Sequence, residues 1–179
     1  MESKTFRIGT GAGFSADRLD PAIDLVRRGY LNAIVFECLG ERTLAAGLRD
    51  KLTNPTLGYN RLLDIRIRAI LPLCRANNTS LITNMGAANP LTAGQLVANI
   101  ARDLGLKGTR IAVVTGDDVS AMLSGETHIV EQGCTIKELS RTVFGANAYL
   151  GTEGIVEALT QNCDVVITGR VADPSLFLA

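Results

Sequence analysis

Residues 164–174 read DVVITGRVADP. A β-branched run meets a Gly-Arg pair, and then Asp-Pro opens an apolar stretch. This order predicts a buried strand, a tight turn and the start of a helix. The same order recurs along the chain. Five runs rich in β-branched residues are found at 6–10 (FRIGT), 33–37 (AIVFE), 80–84 (SLITN), 110–115 (RIAVVT) and 164–168 (DVVIT). They are continuous rather than alternating, as strands covered on both faces are. Amphipathic helical stretches lie between them. Residues 21–28 end at Gly29; residues 91–104 place Leu96, Val97, Ile100 and Leu104 on one face; residues 153–161 do the same with Ile155, Val156 and Leu159. Strands alternating with helices predict an α/β fold, a mostly parallel sheet flanked by helices in a Rossmann-like layered architecture.

Two segments read less regularly. Residues 62–70 (LLDIRIRAI) alternate like a strand, but Arg61, Asp64 and Arg68 share helical spacing, so the prediction is a helix broken near Pro72. Residues 119–150 combine glycines with weak periodicity and read as an insertion of short elements within a single domain, 1–179.

Composition narrows the partners. Apolar residues make up 46% of the chain and charged residues 20%, the balance of a globular protein with its own core. Eighteen basic side chains match eighteen acidic ones, so bulk charge points to no nucleic acid and no anionic membrane surface. No apolar run has the length of a membrane span, and the polar start does not read as a secretory signal. Cys38, Cys74, Cys134 and Cys163 are widely spaced, without a C-x-x-C pair. That spacing predicts reduced, mostly buried thiols in a cytoplasmic protein, and no metal site.

The strand ends carry the functional signal. GTGAGFSADRLDP follows the first run, NMGAANP the third and GRVADP the fifth; the fourth ends in TGDD. Four of the five prolines follow Asp or Asn. Asx-Pro predicts a helix start, with the Asx side chain capping orphan N–H groups and proline at the first helical position. In a parallel sheet these ends share one edge, where open α/β sheets bind ligands and helix N-termini attract anions. The predicted ligand rim is Gly11, Gly13, Glu37, Asn84, Gly86, Asn89, Gly116 and Arg170, with Asp117 and Asp173 as acid/base candidates and Asp118 and Gly169 beside them. A guanidinium keeps its charge, so Arg170 requires an acid or an anionic ligand, and Asp173 is close enough to be a structural tether instead. His128, the one histidine, lies in the insertion with no His or Cys cluster near it in sequence. GTGAGF suggests a dinucleotide loop, but Phe14 stands where the third glycine belongs, and the helix signal waits until Asp20-Pro21.

Taken together and in order, RIGTGAGFSADRLDPAIDLVRRG, FECLGERTLA, TNMGAANP, VVTGDD, NAYLGTEGIVEAL and VVITGRVADPSLFLA resemble the acyclic terpene utilisation family of the AtuA type, end to end. The family more often has a second glycine where this chain has NMGAANP. The resemblance implies cytoplasmic catabolism of branched acyclic terpenoids such as citronellol and geraniol through acyl-CoA intermediates. It also implies a longer protein of which this is the N-terminal portion, so an unfinished helix at Leu176–Leu178 predicts a homo-oligomer or a further portion as cover. The expectation is a catabolic enzyme, or part of one, that binds an acyl-CoA or carboxylate at the strand edge, with no cofactor specified. Alternatives are a non-catalytic binding subunit and a nucleotide-dependent oxidoreductase.

Overall fold

The computed structural model describes residues 5–179. All five β-branched runs are strands: β1 Ile8–Ala12, β2 Ala33–Phe36, β3 Ser80–Thr83, β4 Ile111–Val114 and, after the short β5 His128–Ile129 and β6 Cys134–Thr135, β7 Val165–Thr168. The five form one parallel sheet in the order β1-β2-β3-β7-β4. β2 and β7 are buried along their whole length, whereas β4 is a half-buried edge. Strand β1 starts two residues later than its β-branched run and continues through Gly11 and Ala12, with an irregular register against β2 at that end.

Alternate strand residues divide two cores. Ile34, Phe36, Leu81, Val165 and Ile167 face α1 (Asp20–Arg28), α3 (Leu63–Asn77) and α4 (Pro90–Asp103). Ala33, Val35, Ile82 and Val166 face α5 (Glu153–Thr160) and the short α6 (Ser175–Leu178). The first face is covered by three long helices and the second by little. On the second face an open groove of about 420 Å³ runs over Ile8, Ala33 and Ile82 to Leu176 and Phe177. Exposed Phe6 and Val156 also line it. Strand β3 feeds α4 on one face while its neighbour β7 feeds α6 on the other. The chain therefore reverses sides between β3 and β7, the switch point where open α/β sheets form a crevice.

Three local expectations are corrected. Helix α3 runs through Pro72 unbroken, because Leu63, Ile67, Ile70, Leu71 and Cys74 are all buried and hold it to the sheet despite the missing N–H. The prolines do open their helices, but none of the three Asx side chains caps one. Asp20 pairs with Arg18, Asn89 donates to the Pro55 and Leu57 carbonyls, and Asp173 pairs with Arg170. A neighbouring arginine outcompetes the backbone N–H groups for Asp20 and Asp173, and the distant 55–57 loop does so for Asn89. On α4 the buried stripe is Ala93, Gly94, Val97, Ile100 and Ala101, with Leu104 turned partly to solvent.

Helix α2 (Glu41–Thr53) has no counterpart in the sequence reading. Its only buried residue is Gly47, so it carries no apolar stripe. It lies beside the sheet rim, with Gly47 against the Gly58 backbone, rather than on the sheet. Between β4 and α5, residues 119–150 form short 3-10 turns and the β5–β6 hairpin, tied to the sheet end by an Asp118–Asn147 bridge.

Helix α4 approaches the sheet at Gly94, where a Cβ would lie 2.4 Å from the Val113 side chain. Gly94→Ala is expected to lower the melting temperature, overpacking of about 1–3 kcal/mol exceeding a helix-propensity gain of about 1 kcal/mol. Val113→Ala should destabilise the parent protein but restore stability in the Gly94→Ala background, as read by urea denaturation.

A candidate anion site at the strand rim

The rim is cross-linked before any ligand is considered. The Cys38 N–H donates to Asn84 Oδ1 at 2.7 Å, and Asn84 Nδ2 donates to Glu37 Oε1 at 2.8 Å. Glu37 Oε1 also accepts the Leu39 N–H at 3.0 Å. Glu37 and Asn84 thus join the loops after β2 and β3. Asp117, 4% exposed, accepts the Arg170 N–H at 2.8 Å and the Asn147 amide at 2.9 Å, tying the end of β4 to the end of β7 and to the insertion. Asp118 accepts from Ser120 N–H and shapes the first 3-10 turn; these contacts hold its carboxyl below the usual range.

The rim glycines fall into two groups. A Cβ on Gly11 would meet the Phe36 ring, one on Gly86 the Thr168 carbonyl at 2.4 Å, and one on Gly169 the Asp117 carboxylate at 2.5 Å. These three let the protein's own parts approach each other. Gly13, Gly40 and Gly116 face open space instead, and Gly116 also has a φ of +110°. Gly13 and Gly40 line a cavity of about 220 Å³ with Phe14, Glu37, Cys38 and the first turn of α2. A neighbouring cavity of about 290 Å³ shares Ser15, Cys38, Leu39 and Thr43 and extends to Asn84. The Gly40 N–H is held by Thr43 Oγ1 at 2.8 Å, but no side chain caps the orphan N–H groups of the first α2 turn.

Arg170 crosses this rim. Leaving the end of β7, its side chain passes the end of β3 to reach the segment after β2, donating through Nη1 to the Leu39 carbonyl. Nη2 lies 3.3 Å from both Glu41 Oε1 and Asp173 Oδ1. The Tyr149 ring stacks on the guanidinium at 3.9 Å, and its hydroxyl donates to Glu41. Arg170 is 3% exposed, yet its Nε–H has no hydrogen-bond partner. The Tyr149 hydrogen bond, assisted by the Arg170 charge, lowers the Glu41 pKa, and the same bond raises that of Tyr149.

The structure brings together Gly13, Glu37, Asn84, Gly86, Asp117, Arg170 and Asp173 around one edge. Asn89 sits deeper, holding the 55–57 loop, and His128 lies exposed in the β5–β6 hairpin. The glycines at the end of β1 lead into a loop and α1 opens only at Asp20, so no helix N-terminus meets them as a pyrophosphate cradle requires. Two contributors were not singled out from sequence as site residues, Tyr149 and Glu41. A third is Arg66, 3% exposed, which donates to Cys38 Sγ at 3.0 Å and to the Asp17 carbonyl at 2.8 Å beneath the same cavities. No group of three or more His, Cys, Asp or Glu able to hold a metal is found among the described residues.

All four cysteines are free thiols, two buried and two half-buried. Burial pushes Cys38 up to about 11, against the opposing pull of Arg66, and Cys74 up to about 12. At pH 8 a thiol reagent should therefore modify Cys134 and Cys163 quickly and the other two only on unfolding. Fast labelling of Cys38, read by mass spectrometry, would contradict this. Asp117→Ala should cost about 2–4 kcal/mol, because it deprives the buried Arg170 N–H and the part-buried Asn147 amide of a charged acceptor. Asp173→Ala, at an exposed position, should cost less than about 1 kcal/mol.

The sequence profile described as acyclic terpene utilisation family protein AtuA matches residues 6–179. No curated protein and no solved structure matches the chain. With the profile covering the described fold from the start of β1 to the end of α6, the chain belongs to the acyclic terpene utilisation family, AtuA, and has its role in acyclic terpene utilisation.

Proposed function

We propose that this chain binds an anionic small molecule, an acyl-CoA or free carboxylate of terpenoid catabolism, at the C-terminal edge of its sheet, and that it works in the cytoplasm as a catabolic enzyme or part of one. The observation that carries this reading is Arg170: a buried guanidinium with one N–H unpartnered and one nitrogen held only at 3.3 Å. Burying an unsatisfied donor on a permanent cation is costly, and an anion supplies what is missing. The uncapped first turn of α2 and the open faces of Gly13 and Gly40 lie alongside, so backbone N–H groups and a helix dipole add to the same pull. The two cavities above Cys38 offer room for the remainder of the ligand.

For chemistry, Asp173 is the proposed acid/base group, since its carboxylate is more than half exposed and beside Arg170. Asp117 takes the anchoring role instead, its carboxylate being engaged by two donors. That engagement also gives substance to a second reading, a binding subunit that performs no chemistry by itself, because it removes one of two candidate acids.

Thermal shift separates the readings. A ligand at a hundred times its dissociation constant contributes about 2.7 kcal/mol, hence a rise of roughly 5–10 °C for a chain of this size. Acyl-CoA thioesters or their free acids are expected to produce it, and Arg170→Lys to abolish it without loss of fold. Turnover of the bound acyl-CoA distinguishes the enzyme from the binding subunit. Stabilisation by NAD(P) alone would overturn the proposal in favour of an oxidoreductase.

A further inference from the structure

Arginine presents two hydrogen-bonding edges to a planar anion: the end with both Nη groups, and the side with Nε–H and one Nη2–H. In Arg170 the Nη1 group is fixed on the Leu39 carbonyl. The side edge is unsatisfied, with Nε lacking any partner and Nη2 lying at 3.3 Å from two carboxylates that each reach it through one oxygen. The groups around it are exposed: the side chain of Glu41 is 81% exposed and that of Asp173 57%, and the Tyr149 residue is 55% exposed. The guanidinium is thus 3% exposed although the side chains in contact with it face solvent and can swing aside.

We propose that the Nε–Nη2 edge of Arg170 is a carboxylate subsite, that Glu41 partly occupies it in the unliganded protein, and that Tyr149 is its stacking platform. This rests on the anion-binding reading above and narrows its ligand to a free acid, or to an acyl-CoA whose acyl part carries a carboxylate of its own. A ligand carboxylate displaces Glu41, accepts from Nε and Nη2 together, and lies in the guanidinium plane alongside the Tyr149 ring. The present occupant is itself a carboxylate. Exchange of one for the other keeps the local charge constant, with Arg170 offset by two carboxylates before and after. A phosphate dianion would add a further negative charge against Asp173, so the edge discriminates against it. Tyr149, whose hydroxyl holds Glu41 over Arg170, sets how readily the exchange occurs.

The test uses the full chain, acetate and butyrate as probes, inorganic phosphate as the control, and the Arg170 Nε–H signal in nitrogen–proton spectra as readout. Arg170→Lys assigns that signal by its loss. If this variant fails to fold, selective arginine labelling with nuclear Overhauser contacts from the Nε–H to the Tyr149 ring assigns it instead. In Glu41→Gln, which keeps an acceptor for Tyr149 but removes the competing charge, carboxylates are expected to shift the Nε–H signal and to bind about three- to tenfold more tightly than in the parent. Phosphate at equal concentration and ionic strength should leave the signal in place. An Nε–H signal unmoved by either carboxylate in Glu41→Gln overturns the proposal, and so does an equal response to phosphate. A subsite failure with acyl-CoA still stabilising the protein would leave the broader function standing. A carboxylate response without acyl-CoA stabilisation would remove that substrate and retain the subsite.

Discussion

A guanidinium cannot discharge by losing its proton, so the burial of Arg170 obliges its surroundings to supply acceptors. Much of the rim answers that obligation. The loop after β2 turns its Leu39 carbonyl inward to meet Nη1, α2 begins with Glu41 beside Nη2, and Asp173 approaches from three residues on. Tyr149, at the far end of the insertion, lays its ring on the cation. Asp117 fixes the backbone from which the side chain departs. One side chain therefore touches the ends of β2 and β7, the start of α2 and the insertion, and passes over the end of β3 between them. The provision is nonetheless incomplete at Nε, and that unmet donor is what supports the proposal of an anion site at the rim.

The sheet beneath explains why this happens at one edge. Parallel strands send all their C-termini the same way, and the reversal of sides between β3 and β7 leaves a gap between their exits. Gly86 narrows part of that gap by meeting the Thr168 carbonyl, and the Arg170 side chain runs over the rest. At the opposite strand ends Asp164 pairs with Arg75 and accepts the Arg110 N–H, and the second face of the sheet is the less covered one. Its groove over Ile8, Ala33 and Ile82 is apolar, and the cover provided there by α5 and α6 is slight.

Much of the architecture was legible because its cause is local. β-branched runs mark the five strands, and amphipathic periodicity with Asx-Pro starts marks α1 and α4. What was illegible depended on partners far away in sequence. Helix α2 lacks an apolar stripe because it flanks the rim instead of covering the sheet, so periodicity had nothing to report. The capping expectation is the exception: it failed locally at Asp20 and Asp173, which pair with arginines two and three residues before them, and at distance only for Asn89. Arg170 could be singled out as a cation at a strand end, whereas its stacking on Tyr149 joins residues that only the folded insertion brings together. Nor does sequence distinguish Gly86, needed for backbone approach, from Gly13, which faces a cavity.

In the proposed function the polar rim, and not the apolar groove on the second face of the sheet, receives the ligand. Backbone amide chemical-shift mapping during titration with an acyl-CoA tests it most directly. Perturbations are expected to concentrate at Gly13, Cys38–Thr43, Asn84, Tyr149 and Arg170. Perturbations confined to Phe6, Ile8, Ser80 and Leu176–Phe177, with the rim silent, would contradict it.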